Sequence, residues 1–231
     1  MNGRNPGLGP LAARRPSSIS GERLGDVLRK IRRENEWTLA DVSKRTGLAV
    51  STLSKVENNK NSLTYNNLAK LADGLDLDLA ALLSPDHPPG VVAGHWTKSL
   101  RGAGRVHDTA NYSHEYLCVD LADRRMVPML TLVKSRTLAE FGPLLSHPGE
   151  EFFFVTEGVV DVYLEGREPV RLRAGDSFYF DSSVGHAVIS VGAGDAYALT
   201  VISPVKSSSS RMQQRDGSHP EGALMGSSVH R

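Results

Sequence analysis

The chain changes its hydrophobic period once, and the change falls at SPDHPPGVVAG, residues 84–94. Upstream, apolar residues recur three and four apart. Leu24, Val27, Leu28 and Ile31 form one stripe and Leu68, Leu71, Ala72 and Leu75 another, as amphipathic helices require. Downstream, YLCVDL, VPMLTLV, EFFFVTEG, VVDVYLEG, PVRLRAGDSFYF, HAVISVGAG and AYALTVIS are short runs parted by Gly, Asp or Pro, the pattern of strands in a sandwich or barrel. Side chains spaced for a helix cannot share one face of a strand, so the halves read as separate domains. The expectation is an α+β multidomain chain: an all-α unit over residues 18–84, a linker over 85–100 and an all-β unit over 101–204. Segments 1–17, with its arginines and prolines, and 205–231, with its serine run, lack periodicity and read as a disordered arm and tail.

Composition excludes several classes. A chain of 231 residues, 39% hydrophobic, can bury a substantial core. Its one cysteine, Cys118, cannot close an internal disulfide. No run approaches the ~18 apolar residues of a membrane span, and MNGRNPGLGPLAARRPSSIS lacks the apolar block of a secretion signal. A cytoplasmic protein with no membrane partner is expected. The net charge of +1 divides into +4 over residues 1–85 (13 Lys+Arg against 9 Asp+Glu) and −3 over the rest (14 against 17). That division suits an N-terminal half facing an acidic polymer.

Within the helical half, TLADVSKRTG opens with Thr38, placed to cap a helix with Asp41 three residues on, and closes with Gly47, suited to a left-handed helix end. A second short helix, STLSKVENN, follows after only LAV. Two short helices joined by a tight glycine turn, in a bundle of about five, form a helix-turn-helix. Leu53 and Val56 then face the bundle, and Val50, Ser51, Thr52 and Lys55 face outward as candidate base readers. Lys55 suits a guanine edge or a phosphate, the hydroxyls suit several edges, and the methyls of Val50 and Thr52 suit a thymine methyl. Thr38, Asn58 and Lys60 join the candidate DNA contacts, the last two lying where phosphates would be held.

The stretch from LGDVLRKIRRENEWTLADVSKRTG to LAALL resembles the phage-repressor-like (XRE) helix-turn-helix family over its whole length. The resemblance implies double-stranded operator DNA as partner and a structural ion pair between Arg32 and Glu57. Where that family often carries a polar, phosphate-touching residue after the capping threonine, this chain has Leu39. A homodimer is expected, because two reading heads roughly 34 Å apart are needed for a palindrome; the β-unit would supply its two-fold axis. A bundle that docks protein instead of DNA is the alternative.

In LLSHPGEEFFFVTEG, His147 and Glu151 stand four apart, followed by an aromatic strand and a glycine, a spacing that suits two ligands converging on one metal ion. Strand alternation places Glu151, Phe153 and Val155 on one face and Phe152 and Phe154 on the other. Together with RAGDSFYFDSSVGHAVISVG, this stretch resembles the two motifs of the cupin family, a double-stranded β-helix barrel, from about Tyr112 to Pro204. The resemblance maps three of four ligands onto His147, Glu151 and His186 and puts Leu145 in the place of the fourth. Two histidines and one carboxylate form a recognised iron(II) set, and three protein ligands also suit catalytic zinc. One divalent ion, iron or zinc, is thus one expectation. The others are a metal-free pocket and no functional pocket at all; His147 would then cap a loop, and Glu151 would satisfy backbone donors or pair with Arg171 or Arg173. Tyr112, His114 and Tyr116 alternate along an upstream strand, as ligand-binding residues of the same cavity or as a solvent-facing row. His87, His95 and His107 lie in loop-like sequence and carry no expected role.

A repressor-like domain joined to a cupin barrel is similar to regulators in which the barrel senses a small-molecule effector. The expected function is therefore a DNA-binding transcriptional regulator, not an enzyme. The alternative is a mononuclear non-haem iron cupin enzyme, epoxidase- or oxygenase-like, with a structural helix-turn-helix.

Overall fold

The computed structural model describes residues 24–77, 79, 82, 96–121 and 124–203. The expected arm and tail, most of the expected linker, His87 and His95 lie outside the described residues. Among the described residues four complete helices come first: α1 (Leu24–Glu34), α2 (Leu39–Thr46), α3 (Val50–Glu57) and α4 (Tyr65–Gly74). The capping expectation for α2 holds. Thr38 Oγ1 accepts from the Asp41 N–H at 3.1 Å, and the Asp41 carboxylate accepts from the Thr38 N–H at 2.8 Å. Gly47 ends the helix at φ 70°, its N–H donating to Ser43 O. The turn between α2 and α3 is thus fixed by local chemistry before any packing. Gly25 sets a closer constraint that periodicity does not reveal: a Cβ there would overlap the Val56 carbonyl oxygen, so α1 crosses α3 backbone to backbone.

The ion pair implied by the family resemblance is present and bidentate. Glu57, only 4% exposed, accepts from Arg32 Nε at 2.6 Å and from Arg32 Nη2 at 2.9 Å. Arg32 Nη1 also donates to Trp37 O at 3.1 Å, tying the end of α1 to the approach to α2. Arg29 reaches the Glu57 carbonyl oxygen and lies 3.6 Å from its carboxylate.

The remaining elements are β1 (Arg105–Asp108), β2 (Tyr112–Tyr116), β3 (Val127–Val133), α5 (Leu138–Phe141), β4 (Glu150–Glu157), β5 (Val159–Leu164), β6 (Val170–Arg173), β7 (Ser177–Asp181), β8 (His186–Ser190) and β9 (Ala196–Ser203). They pair antiparallel into a six-stranded sheet, β1-β2-β3-β9-β4-β7, and a three-stranded sheet, β6-β5-β8. YLCVDL is not a strand. β2 ends at Tyr116, and Cys118 takes φ 55°, incompatible with an extended run, while its N–H turns to Ser99 Oγ. PVRLRAGDSFYF divides into β6 and β7 around Gly175, whose φ of 97° makes the turn. His107, in sequence that reads as loop, is buried on the short edge strand β1.

The two units share one core. Tyr116, Val119, Val127, Met129 and Ile202 join the same buried cluster as Leu28, Leu53, Leu63, Leu68 and Leu82. His107 Nε2 meets the Leu63 carbonyl oxygen at 2.7 Å across this boundary, and burial holds its pKa below the ordinary imidazole value. Removing one member of a buried ion pair leaves the other uncompensated, which costs about 3 kcal/mol or more. Glu57→Ala is therefore expected to lower unfolding free energy by about 3 kcal/mol in urea titrations of the full chain. A loss under about 1 kcal/mol would mean that the pair is solvent-screened.

Candidate functional site

The outer face of α3 has the expected exposure. Val50, Ser51 and Lys55 are exposed and Thr52 is half-buried, while Leu53, Val56 and Glu57 are buried against the bundle. Thr38 is exposed, but its hydroxyl is engaged with the Asp41 carboxylate at 2.6 Å. Asn58 is likewise committed, donating to Ser54 O at 2.7 Å and accepting from Arg29 at 3.4 Å. Lys60 is exposed and lines a cavity between the two units.

That cavity, of about 530 Å³, opens onto the cluster His147, Glu151 and His186. Their ligand atoms all lie within 4.8 Å of one another, and the residues are 6%, 7% and 5% exposed. Three local structures aim them. His147 hangs from the segment before β4, its N–H donating to Ser182 O at 2.9 Å. Glu151 is the second residue of β4, on the inward face with Phe153 and Val155, as alternation requires. His186 opens β8, bridged on both sides to Leu145. Leu145 is thus at the cluster and lines its cavity, but contributes only hydrocarbon.

The tautomer of His186 follows from its surroundings. Nδ1 lies 2.9 Å from Val184 O, a pure acceptor, so Nδ1 carries the proton and Nε2 presents a lone pair. Nε2 stands 3.9 Å from Glu151 Oε2, and His147 Nε2 stands 3.4 Å from the same oxygen. Burial lowers the His186 pKa, outweighing the opposite pull of Glu151. A neutral imidazole lone pair and a carboxylate therefore face one another in a dry setting, with a second imidazole beside them. That is the donor set of a divalent cation site. Glu151 has no arginine partner of the expected kind: Arg171 is bound bidentate to Asp161 at 2.8 and 2.9 Å, and Arg173 is exposed on β6, in the other sheet.

Tyr112, His114 and Tyr116 are all buried, so the solvent-facing alternative is overturned. β2 lies between β1 and β3, and its 112, 114 and 116 positions point inward. Tyr112 and His114 line the cavity. Tyr116 instead enters the core shared with the helices. His114 Nδ1 lies 3.0 Å from Thr131 Oγ1, which lies 3.0 Å from Thr200 Oγ1, a hydrogen-bonded chain in the cavity wall. The residues that sequence reasoning missed come from the other unit. Tyr65, the first residue of α4, meets the His147 ring edge-on at 4.9 Å, and Asn66 and Asn67 line the cavity beside it. Nothing in their spacing distinguishes them from ordinary helix-start residues.

Burial drives the His114 pKa down to about 3. The unfolded chain takes up a proton near pH ~6.5 and the folded chain does not, so stability is full above that pH and falls as pH drops toward the folded value. At ~1.4 kcal/mol per pH unit, the group should remove about 2 kcal/mol between pH 7 and pH 5. In His114→Gln that part of the slope should vanish from urea titrations across this range. An unchanged slope would show that His114 is hydrated.

Two family models match the chain: Helix-turn-helix over residues 28–82 and Cupin domain over residues 138–202. The HTH-type transcriptional regulator SutR of Escherichia coli (strain K12) is 31% identical over 62 residues, 27% of this chain and 35% of SutR. The match thus spans about a third of that relative. A helix-turn-helix (HTH_3) family transcriptional regulator from Vibrio cholerae superposes with a TM-score of 0.51 at 19% identity, over 79% of this chain and 96% of the other. Hydroxypropylphosphonic acid epoxidase from S. wedmorenis reaches 0.42 at 19% identity, over 78% and 96%, too loose a likeness to bear on chemistry here. With its capping box, Arg32–Glu57 pair and two antiparallel sheets, the chain joins a helix-turn-helix domain, matched over residues 28–82, to a C-terminal cupin domain, matched over residues 138–202.

Proposed function

We propose that the chain is a DNA-binding transcriptional regulator whose cupin domain takes a small-molecule effector and so modulates operator affinity. The observation that carries this reading is the outward face of α3. Val50 and Ser51 stand exposed in its first turn and Lys55 in its last, while Leu53 and Val56 anchor it, the arrangement in which a recognition helix enters a major groove. Lys55 and Ser51 would read base edges, with Val50 and Thr52 against thymine methyls.

The effector would bind in the cavity lined by Tyr112, His114, His147, Glu151 and His186. His147, Glu151 and His186 would hold one divalent ion, iron or zinc, which the facing lone pair and carboxylate favour. Such an ion would offer a Lewis-acidic anchor for an oxygen-bearing group. The side chains of the cavity wall would orient what enters. The same triad favours a second reading, a mononuclear iron enzyme. The free face of α3 argues against it, since an enzyme has no use for one.

A homodimer would bring two reading heads together, and the outer face of the six-stranded sheet supports one. Phe152 and Tyr179 are exposed cross-strand neighbours, with half-buried Phe154, Leu199 and Val201 beside them. Such an apolar sheet face is a natural self-association surface. Phe152→Glu should convert a dimer to a monomer in sedimentation velocity; a parent chain that is already monomeric contradicts this assignment.

The functional reading is tested by fluorescence anisotropy on an operator obtained by selection. Lys55→Ala should weaken specific binding by about 1 to 3 kcal/mol without loss of fold. Variants Lys55→Ala and Ser51→Ala that bind every duplex as the parent does would remove α3 from the reading role. Elemental analysis of the same preparations should find roughly one iron or zinc per chain, lost in His186→Ala, since two protein ligands remain. A parent chain that keeps no metal after loading and desalting leaves the three residues as hydrogen-bonding groups for an organic effector.

A further inference from the structure

The helical domain reaches the cavity through one segment, Asn59 to Asn67, which begins just past α3 and runs into the first turn of α4. Three features of this wall favour one kind of ligand. Thr64, the N-cap residue of α4, accepts no N–H from the first turn through its side chain. Among the described residues, the N–H groups of Tyr65, Asn66 and Asn67, all residues of the cavity wall, have no intrahelical or capping partner, and the positive end of the helix dipole stands there. Lys60 is the wall's one cation and Glu151 its one carboxylate among the described residues. His147, itself 6% exposed, has a buried Nδ1 with no partner among the described residues, and its ring meets that of Tyr65 at 4.9 Å between centroids.

We propose that the cavity takes a small oxyanion, a carboxylate or a phosphate, held between the His147–Glu151–His186 cluster and the α4 N-terminus with Lys60. Free helix N–H groups and an ammonium are the partners such a group finds. A divalent ion on the cluster, outweighing the single Glu151 charge, selects the same class. The proposal rests on the cavity being the effector site, and it deepens that reading by giving the route of regulation. The wall segment is bonded to the recognition helix itself. Lys60 N–H donates to Lys55 O and Asn59 N–H to Val56 O, both at 2.8 Å. An anion that fixes Lys60 and the α4 N-terminus thus fixes the end of α3 and the main chain of Lys55. The signal crosses a single turn, with no need for rearrangement of a dimer.

Isothermal titration of the full chain with succinate, inorganic phosphate and uncharged succinamide, at constant ionic strength, tests this. Saturable binding of succinate or phosphate at one per chain is expected, with none for succinamide, and about ten-fold weaker binding in Lys60→Gln, as for loss of one charged hydrogen bond. Succinate alone names a carboxylate effector, and phosphate alone a phosphorylated one. Heat from none of the three, equal heat from succinamide, or parent-like binding in Lys60→Gln overturns the proposal. In a second arm, the binding anion should change operator affinity about 5-fold or more; binding without such a change overturns the route through Lys60. A chain that binds the anion but no DNA removes the regulator reading and leaves the anion site standing.

Discussion

The seam between the helical and cupin domains is the constraint on which the rest depends. The Leu63 carbonyl is buried there, and a buried carbonyl without a partner costs about 1 to 3 kcal/mol. His107 supplies the partner at 2.7 Å, which requires a proton on Nε2, and its lowered pKa keeps the ring neutral while buried. Around this bond, Tyr116, Met129 and Ile202 complete the core of Leu28, Leu53 and Leu68. Leu63 lies between Ser62 and Thr64, both residues of the cavity wall, so the bond to His107 also sets where that wall stands.

Inside the wall, low polarity makes each unpaired group consequential. The facing acceptors of His186 and Glu151 repel unless a cation or proton lies between them, and Leu145 leaves one side of the cluster without a further ligand. With Leu145 in that place, His147, Glu151 and His186 would hold an ion with an open position, which is what an exchangeable ligand needs. The hydrocarbon of Leu145 with Phe153 and Val188 gives the cavity an apolar side, opposite the amides and Lys60 of the helical domain. A cavity with an apolar side that carries the His147–Glu151–His186 cluster and a polar side built from the helical domain suits recognition followed by transmission.

Local chemistry made much of this legible in the sequence. Thr38, Asp41 and Gly47 announce α2 because capping and left-handed turns are settled within a few residues. The alternation of Glu151, Phe153 and Val155 announces the inward face of β4, because a strand in a two-layer domain has only two sides. YLCVDL misled because its composition is strand-like while Cys118 takes a left-handed conformation that composition does not register. β1 and α5 are too short for periodicity to show. Gly25 and Tyr65 were invisible for another reason: each acts through a partner far along the chain, Val56 in one case and His147 in the other. The linker reading likewise hid the seam, since a proline-rich stretch announces a boundary but not whether the domains on either side share a core.

In the proposed regulator, α3 and the cupin cavity are coupled through residues 59–67. Coupling of this kind is reciprocal, so DNA must act on the cavity as the cavity's ligand acts on DNA. Hydrogen–deuterium exchange of the full chain, with and without operator DNA, reads this directly. The account predicts altered protection in residues 59–67 and in the cavity segments 144–151 and 184–190, as well as in α2 and α3. Protection changes confined to α2 and α3, with the cavity segments exchanging as in the free protein, would contradict it.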